Sequence, residues 1–189
     1  TLLQEIDYDK NTVRLGTISA NEVDLTLLNI DKKFDVTNKQ STVYGLLKKN
    51  RKIQIWLGVE VIPGQIEWAP FGVYWTTLWH VPDDSLIAQV TARDILDLMS
   101  LTDFINSQLY VNKSLGFLFE TILQDYGLTT ADYIIDTDLY NIIIPYVWFP
   151  ICSHRDALQR LTSCALVYIY CNRQGQVIVS KMKTINEYP

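Results

Sequence analysis

Residues 72–100 constrain the fold more tightly than any other stretch of the chain. Gly72-Val-Tyr-Trp-Thr-Thr-Leu-Trp-His80 alternates, with Val73, Trp75 and Thr77 on one side and Tyr74, Thr76 and Leu78 on the other, the period of a half-buried strand. Pro82 sets the φ of a turn, and Asp83, Asp84 and Ser85 carry the side chains that close it. Leu86–Thr91 returns as a second strand, and Asp94 is placed to cap a helix over Ile95–Met99. A hairpin that feeds directly into a helix is scaffold. None of its side chains forms a nucleophile, a proton shuttle or a set of metal ligands.

Upstream the chain is patterned for strands. Thr12–Ile18 reads as one, and Glu22–Asn29 as another, with Val23, Leu25 and Leu27 on one face and Asp24, Thr26 and Leu28 on the other. After a turn over Asn29–Asp35, Ser41 or Thr42 can cap a brief helix at Val43–Leu47, which Lys48-Lys49-Asn50 ends. Ile53–Val61 is a long strand with Ile53, Ile55, Leu57 and Val59 on one side; Pro63-Gly64 breaks it, and Ile66–Pro70 leads to the hairpin. Short strands at even spacing predict a small barrel or a curled antiparallel sheet.

Downstream the period changes. Ser114 heads a helix over Leu115–Tyr126 that Gly127 ends, and Ser153-His154-Arg155-Asp156 caps a second whose buried stripe is Ala157, Leu158, Leu161 and Ala165. Tyr133–Asp136, Ile142–Val147, Val167–Cys171 and Gln176–Lys181 read as strands, the last two joined by a turn at Asn172–Gly175. This half is two helices on a short sheet. With the seam near Thr102–Asn112, the sequence predicts an α+β protein: a mostly β domain over 1–104 and an α+β domain over 105–189.

The chain has 189 residues, 48% hydrophobic and 20% charged, enough to bury a core and too apolar for a disordered segment. A net charge of −5 argues against nucleic acid as the main partner. The longest apolar stretch, Tyr140–Cys152, is too short for a membrane span and contains Pro145 and Pro150. The chain opens Thr-Leu-Leu, which reads as a piece of something longer. Cys152, Cys164 and Cys171 match no zinc or redox spacing and are expected buried and reduced.

No group of residues announces chemistry. His80 and His154 lie far apart, outside any metal-spaced cluster. Asp136 and Asp138 share a strand face but lack the further ligands and glycine of a calcium loop. Lys48-Lys49-Asn50-Arg51-Lys52 follows a short helix and reads as a solvated turn. Ser19, Ser41, Ser153 and Ser163 have no glycine elbow, and the eight glycines form no phosphate loop. The expectation is therefore no catalytic, cofactor or metal residues.

The aromatic residues, 12% of the chain, carry more weight. Trp68, Trp75 and Trp79 crowd the hairpin, and Trp148 and Phe149 precede the second capped helix. They serve as core or subunit interface, or as platforms on which a glycan stacks if exposed beside polar groups.

Five blocks, taken in order, resemble a known family. They are Ser19-Ala-Asn-Glu-Val-Asp-Leu-Thr-Leu-Leu-Asn-Ile-Asp-Lys-Lys-Phe-Asp, Val43-Tyr-Gly-Leu-Leu-Lys-Lys-Asn-Arg-Lys-Ile, Phe71-Gly-Val-Tyr-Trp, Val90-Thr-Ala-Arg-Asp-Ile-Leu-Asp-Leu-Met and Ser153-His-Arg-Asp-Ala-Leu-Gln-Arg-Leu. Across about residues 12–183 the chain resembles the tail-hub and tail-tip baseplate proteins of tailed bacteriophages and prophages. That resemblance implies a non-enzymatic subunit of the virion tail, assembled in the bacterial cytoplasm. It also implies a homo-oligomeric ring, a trimer in preference, that joins the tail tube to other tail proteins at the tip or fibres. The alternatives are a carbohydrate-binding module for host wall glycan and, with least support, a glycosidase using Glu67 or Glu120.

Overall fold

A computed structural model describes residues 2–6, 18–82 and 86–183, the first of these segments by its backbone alone. The strand expected at Thr12–Ile18 lies, apart from Ile18, outside the described residues. The chain divides into two compact units, which among the described residues comprise 2–6, 20–82, 86–95 and 173–175, and 18–19, 96–172 and 176–183.

The first unit is an antiparallel sheet of β1 (Leu2–Ile6), β2 (Asn21–Leu28), β3 (Lys52–Ile62), β4 (Gln65–His80) and β5 (Ile87–Arg93), ordered β1-β2-β5-β4-β3 and curled into a half-barrel. Of the two shapes the sequence allowed, the curled sheet is the one formed, with β1 and β3 as its edges. The alternation read from the sequence places the core. Val23, Leu25 and Leu27 stand opposite Ala92, Val90 and Ala88 on one face, and Glu22, Asp24 and Thr26 opposite Arg93, Thr91 and Gln89 on the other. On the polar face Arg93 Nε donates to Glu22 Oε2 at 2.7 Å and Thr91 Oγ1 to Asp24 Oδ1 at 2.6 Å. On the apolar face Val23, Tyr74 and Ala92 are buried against Leu25, Ile53, Ile55 and Phe71.

Strand β4 departs from simple alternation: Gly72, Val73 and Tyr74 are buried in succession. The Tyr74 ring folds back over Gly72, where a Cβ would lie 2.5 Å from it. The connection after β2 is organised without regular structure. Backbone N–H groups of Lys32, Asp35, Asn38, Ser41 and Tyr44 each donate to the carbonyl three residues earlier. Within this ladder Asn29 Oδ1 accepts from Phe34 N–H, Asp35 Oδ1 from Thr37 N–H and Asn38 Oδ1 from Gln40 N–H. At its end Ser41 Oγ accepts from Val43 N–H at 3.2 Å, a side-chain turn bond of the kind that competes with helix, and the helix expected at 43–47 is reduced to a 3-10 turn, Tyr44–Leu46. Just ahead of α1 (Ile95–Leu98), Asp94 Oδ2 accepts from Asn21 N–H of β2 at 2.9 Å.

The second unit holds β6 (Asp103–Phe104), β7 (Tyr110–Ser114), α2 (Leu115–Asp125), β8 (Tyr133–Ile135), β9 (Ile143–Val147), β10 (Cys152–Ser153), α3 (His154–Ala165), β11 (Val167–Cys171) and β12 (Val177–Lys181). A sheet of order β11-β12-β8, parallel between β12 and β8, is joined by the ribbons β7–β9 and β6–β10. Both helices start as their sequences predict. Ser114 Oγ accepts from Phe117 N–H at 3.2 Å, and Ser153 Oγ from Asp156 N–H at 3.1 Å. Gly127 ends α2 at φ 103°. Leu118, Phe119, Ile122 and Leu123 from α2 form the core with Leu158 and Leu161 from α3 and Val167, Val177 and Val179 from the sheet.

The cysteine expectation needs correcting in one respect. None of the three forms a disulfide, but Cys164 is exposed and Cys152 and Cys171 are only partly covered. The buried stripe of α3 runs His154, Ala157, Leu158, Leu161 and Thr162, so position 164 falls beyond its edge.

Candidate functional site

The feature that most distinguishes this surface is the outer half of the β3–β4 hairpin. Ile55 pairs with Gly72 but Trp56 with Pro70, so Phe71 is the extra residue of a bulge. A bulge tolerates a proline that has no N–H to give. Strand β5 pairs with β4 only from Trp75 onward, so among the described residues 56–70 have each other and no third strand. Every residue from Trp56 to Ala69 is exposed. One face presents Trp56, Ile66 and Trp68, and the other Leu57, Val59 and Val61. Trp68, 63% exposed, lies across its partner Gly58, where a Cβ would meet the ring at 3.0 Å.

At the base of this hairpin the basic run is a rigid turn. Thr76, wholly buried, donates from Oγ1 to the Lys48 carbonyl at 2.6 Å and accepts from Arg51 N–H at 3.0 Å. Its backbone bonds Asn50 and Arg51 as well, and Asn50 adopts φ 61°. Lys48, Lys49, Arg51 and Lys52 are all exposed, with Lys52 Nζ 5.7 Å from the centre of the Trp75 ring.

The remaining aromatic candidates separate by environment. Trp75 and Trp79 are partly covered. Trp79 stacks on Phe34 at 6.2 Å, and its buried Nε1 has no partner among the described residues. With Asn29, Asp35 and His80 it lines a cavity of about 360 Å³. There the N–H and hydroxyl of Thr37 hold the Asp35 carboxyl below its usual range. Phe149 is core, 2% exposed and edge-on to Phe104 at 5.7 Å. Trp148, 61% exposed, borders a cleft of about 580 Å³ along α3 that also presents Asp156, Gln159, Arg160 and Ser163.

His154 is buried at the head of α3, 4% exposed. Its Nε2 lies 3.1 Å from Asp125 Oδ2, and its Nδ1 lies 2.9 Å from both the hydroxyl and the carbonyl oxygen of Thr102. Hydroxyl, imidazole and carboxylate in line are the parts of a hydrolytic triad. Here Phe104 and Tyr126 pack against the ring, and neither cavity described above reaches it. Asp125 Oδ1 also accepts from Asn106 Nδ2 at 2.9 Å, so the group ties α2, α3 and the segment 102–106 together. Burial pushes the neighbouring Tyr126 phenol above its ordinary value. Among the described residues no three His, Cys, Asp or Glu side chains gather as metal ligands, and no helix is long and apolar enough to cross a membrane.

Comparison with solved structures gives this arrangement its context. The chain is similar over 97% of its length to 56% of a 43 kDa tail protein from prophage MuSo2 of Shewanella oneidensis, with TM-score 0.53 and 12% identity. It is similar over 98% of its length to 47% of a tail protein from Neisseria meningitidis, with TM-score 0.59 and 9% identity. A type VI secretion component from E. coli, itself similar to T4 bacteriophage tail proteins, matches over 94% of this chain and 48% of its own, with TM-score 0.50 and 10% identity. The chain has the fold of phage tail proteins. It spans about half the length of these relatives in structure. No family model matches it, and no curated protein sequence is significantly similar.

Sequence reasoning overlooked Trp56 and the two-sided character of the tail-fold hairpin. The signal was present: Trp56-Leu-Gly-Val-Glu-Val-Ile62 places apolar residues at both parities of a strand. It also missed the His154 group, whose members at 102, 125 and 154 have no local pattern to reveal them.

Proposed function

We propose that this chain is a non-enzymatic structural subunit of a phage or prophage tail hub. In this reading it forms a homo-oligomeric ring, a trimer in preference, that joins the tail tube to tip or fibre proteins. The observation that carries the proposal is a likeness to tail proteins that runs through nearly the whole chain rather than one motif. The exposed apolar hairpin adds to it, because contiguous apolar surface on this scale marks a contact with another protein. The test is deletion of the gene from the producing phage or prophage, with tails examined by electron microscopy and mass spectrometry. The protein should be present in purified tails, and its loss should leave them without an assembled tip. Complete, infectious tails lacking the protein would overturn the reading.

One observation favours a second function, host-glycan binding. Trp148 stands exposed beside Asp156, Gln159 and Arg160, the combination of ring face and polar groups that holds a sugar. Host wall polysaccharide should then change the tryptophan fluorescence of the wild type but not of Trp148→Ala. Identical responses in the two proteins would dismiss this site.

A further inference from the structure

We propose that the outer half of the β3–β4 hairpin is an assembly arm that seats on the basic turn 48–52 of a second copy of this chain, head to tail. The inference rests on the hub-subunit reading and gives it a contact surface.

The first argument is the pattern of the arm itself. A ribbon with one face in water alternates apolar and polar residues, whereas strands covered on both faces are apolar at both parities. This arm carries Trp56, Ile66 and Trp68 on one side and Leu57, Val59 and Val61 on the other, all exposed. Such a ribbon is built to lie between two surfaces. Among the described residues its own chain supplies neither, since every residue from Trp56 to Ala69 is exposed.

Charge selects the occupant. Between residues 56 and 69 the only ionisable side chains are Glu60 and Glu67, so the arm is acidic throughout. Neither meets a cation among the described residues; Glu60 Oε1 accepts from Gly64 N–H at 2.7 Å. The densest positive charge in the sequence is Lys48, Lys49, Arg51 and Lys52, and none of these meets an acid among the described residues. The arm and the turn of one molecule do not reach each other. At about 3.3 Å per residue along a strand, Glu60 is on the order of 26 Å from Lys52.

The turn is also fit to receive a partner, because the buried Thr76 hydroxyl fixes it from beneath. Two patches of opposite charge, on different parts of one subunit, make a heterologous contact. Such a contact repeats from copy to copy and closes into a ring when its rotation allows.

Sedimentation velocity on the full-length protein over a concentration series at low salt tests this with three variants. E60K/E67K and K48E/K49E should each weaken self-association about tenfold or more. The fourfold variant K48E/K49E/E60K/E67K, with the charges exchanged, should recover it whatever the ring size. Far-UV circular dichroism checks that these exposed substitutions leave the fold intact. Wild-type association by either double variant, or a wild type that stays monomeric, overturns the proposal and assigns the arm to another protein or another part of the polypeptide. Carbodiimide cross-linking in purified tails separates this from the hub reading. Tails that contain the protein but never join 48–52 to Glu60 or Glu67 of a neighbour sink the arm alone, whereas absence from tails sinks the hub.

Discussion

The inner and outer halves of the β3–β4 hairpin differ in pattern and in surroundings: Lys52–Ile55 alternates polar and apolar, whereas Trp56–Ile62 is apolar at both parities. In the inner half Ile53 and Ile55 pair with Tyr74 and Gly72, and Tyr74 is buried against Val23 and Ala92 from the neighbouring strands. In the outer half equally apolar residues, from Trp56 to Ile66 and Trp68, lie in solvent. Alternation decides which side chains share a face. Whether that face is covered depends on what packs across it: Val23 and Ala92 cover Tyr74, whereas Trp56–Ala69 stay exposed. The hardest test of this contrast is Tyr74→Ala, which should destabilise the protein by about 3–5 kcal/mol through cavity formation. Urea unfolding measures it. A loss under about 1 kcal/mol would mean that the inner half is no better sealed than the outer.

The same distinction explains how much of the molecule was legible in its sequence. Helices α2 and α3 were readable to within a residue or so, because the Ser114 and Ser153 caps, the Gly127 stop and a 3.6-residue stripe all act locally. The antiparallel pairing of β4 with β5 was readable for the same reason. Three features were not. The bulge at Phe71 fuses Ile66–Pro70 and the following segment into one 16-residue strand, and that depends on β3 lying opposite. The helix expected at Val43–Leu47 is only the 3-10 turn Tyr44–Leu46, the last step of a ladder of turns that begins at Asn29. Cys164 lies off the stripe of α3 by less than one position, a distance that apolar neighbours in sequence do not resolve. Among the candidate aromatics, sequence could not separate Phe149 from Trp148. They are adjacent, and strand-like alternation sends one into the core and the other to the rim of a cleft.

A second pair of residues sharpens the contrast with a smaller effect. His154 and Trp148 are the two side chains in the second unit best equipped for chemistry or binding, one sealed and one open. His154→Ala should cost about 2 kcal/mol. It removes the partner of Asp125 and Thr102, and the figure is held down because the Asp125 side chain keeps 21% of its exposure. Thermal unfolding in parallel with Trp148→Ala checks the comparison, the latter leaving stability almost unchanged. A His154 variant as stable as the wild type would free the imidazole from its structural duty and reopen the hydroxyl–imidazole–carboxylate line as a reactive group.

The smallest effect on folding is expected where the side chain is largest. Trp68→Ala removes an indole that touches chiefly the flat surface above Gly58, and the unassembled subunit should lose no more than about 0.5 kcal/mol. Self-association should fall with the same substitution, since an exposed tryptophan on an apolar ribbon is the kind of residue on which interfaces concentrate their energy. Urea unfolding of dilute protein and sedimentation of concentrated protein separate the two quantities. A stability loss above about 2 kcal/mol would place Trp68 in the fold of its own chain, as Tyr74 is, and the two halves of the hairpin would no longer differ in kind.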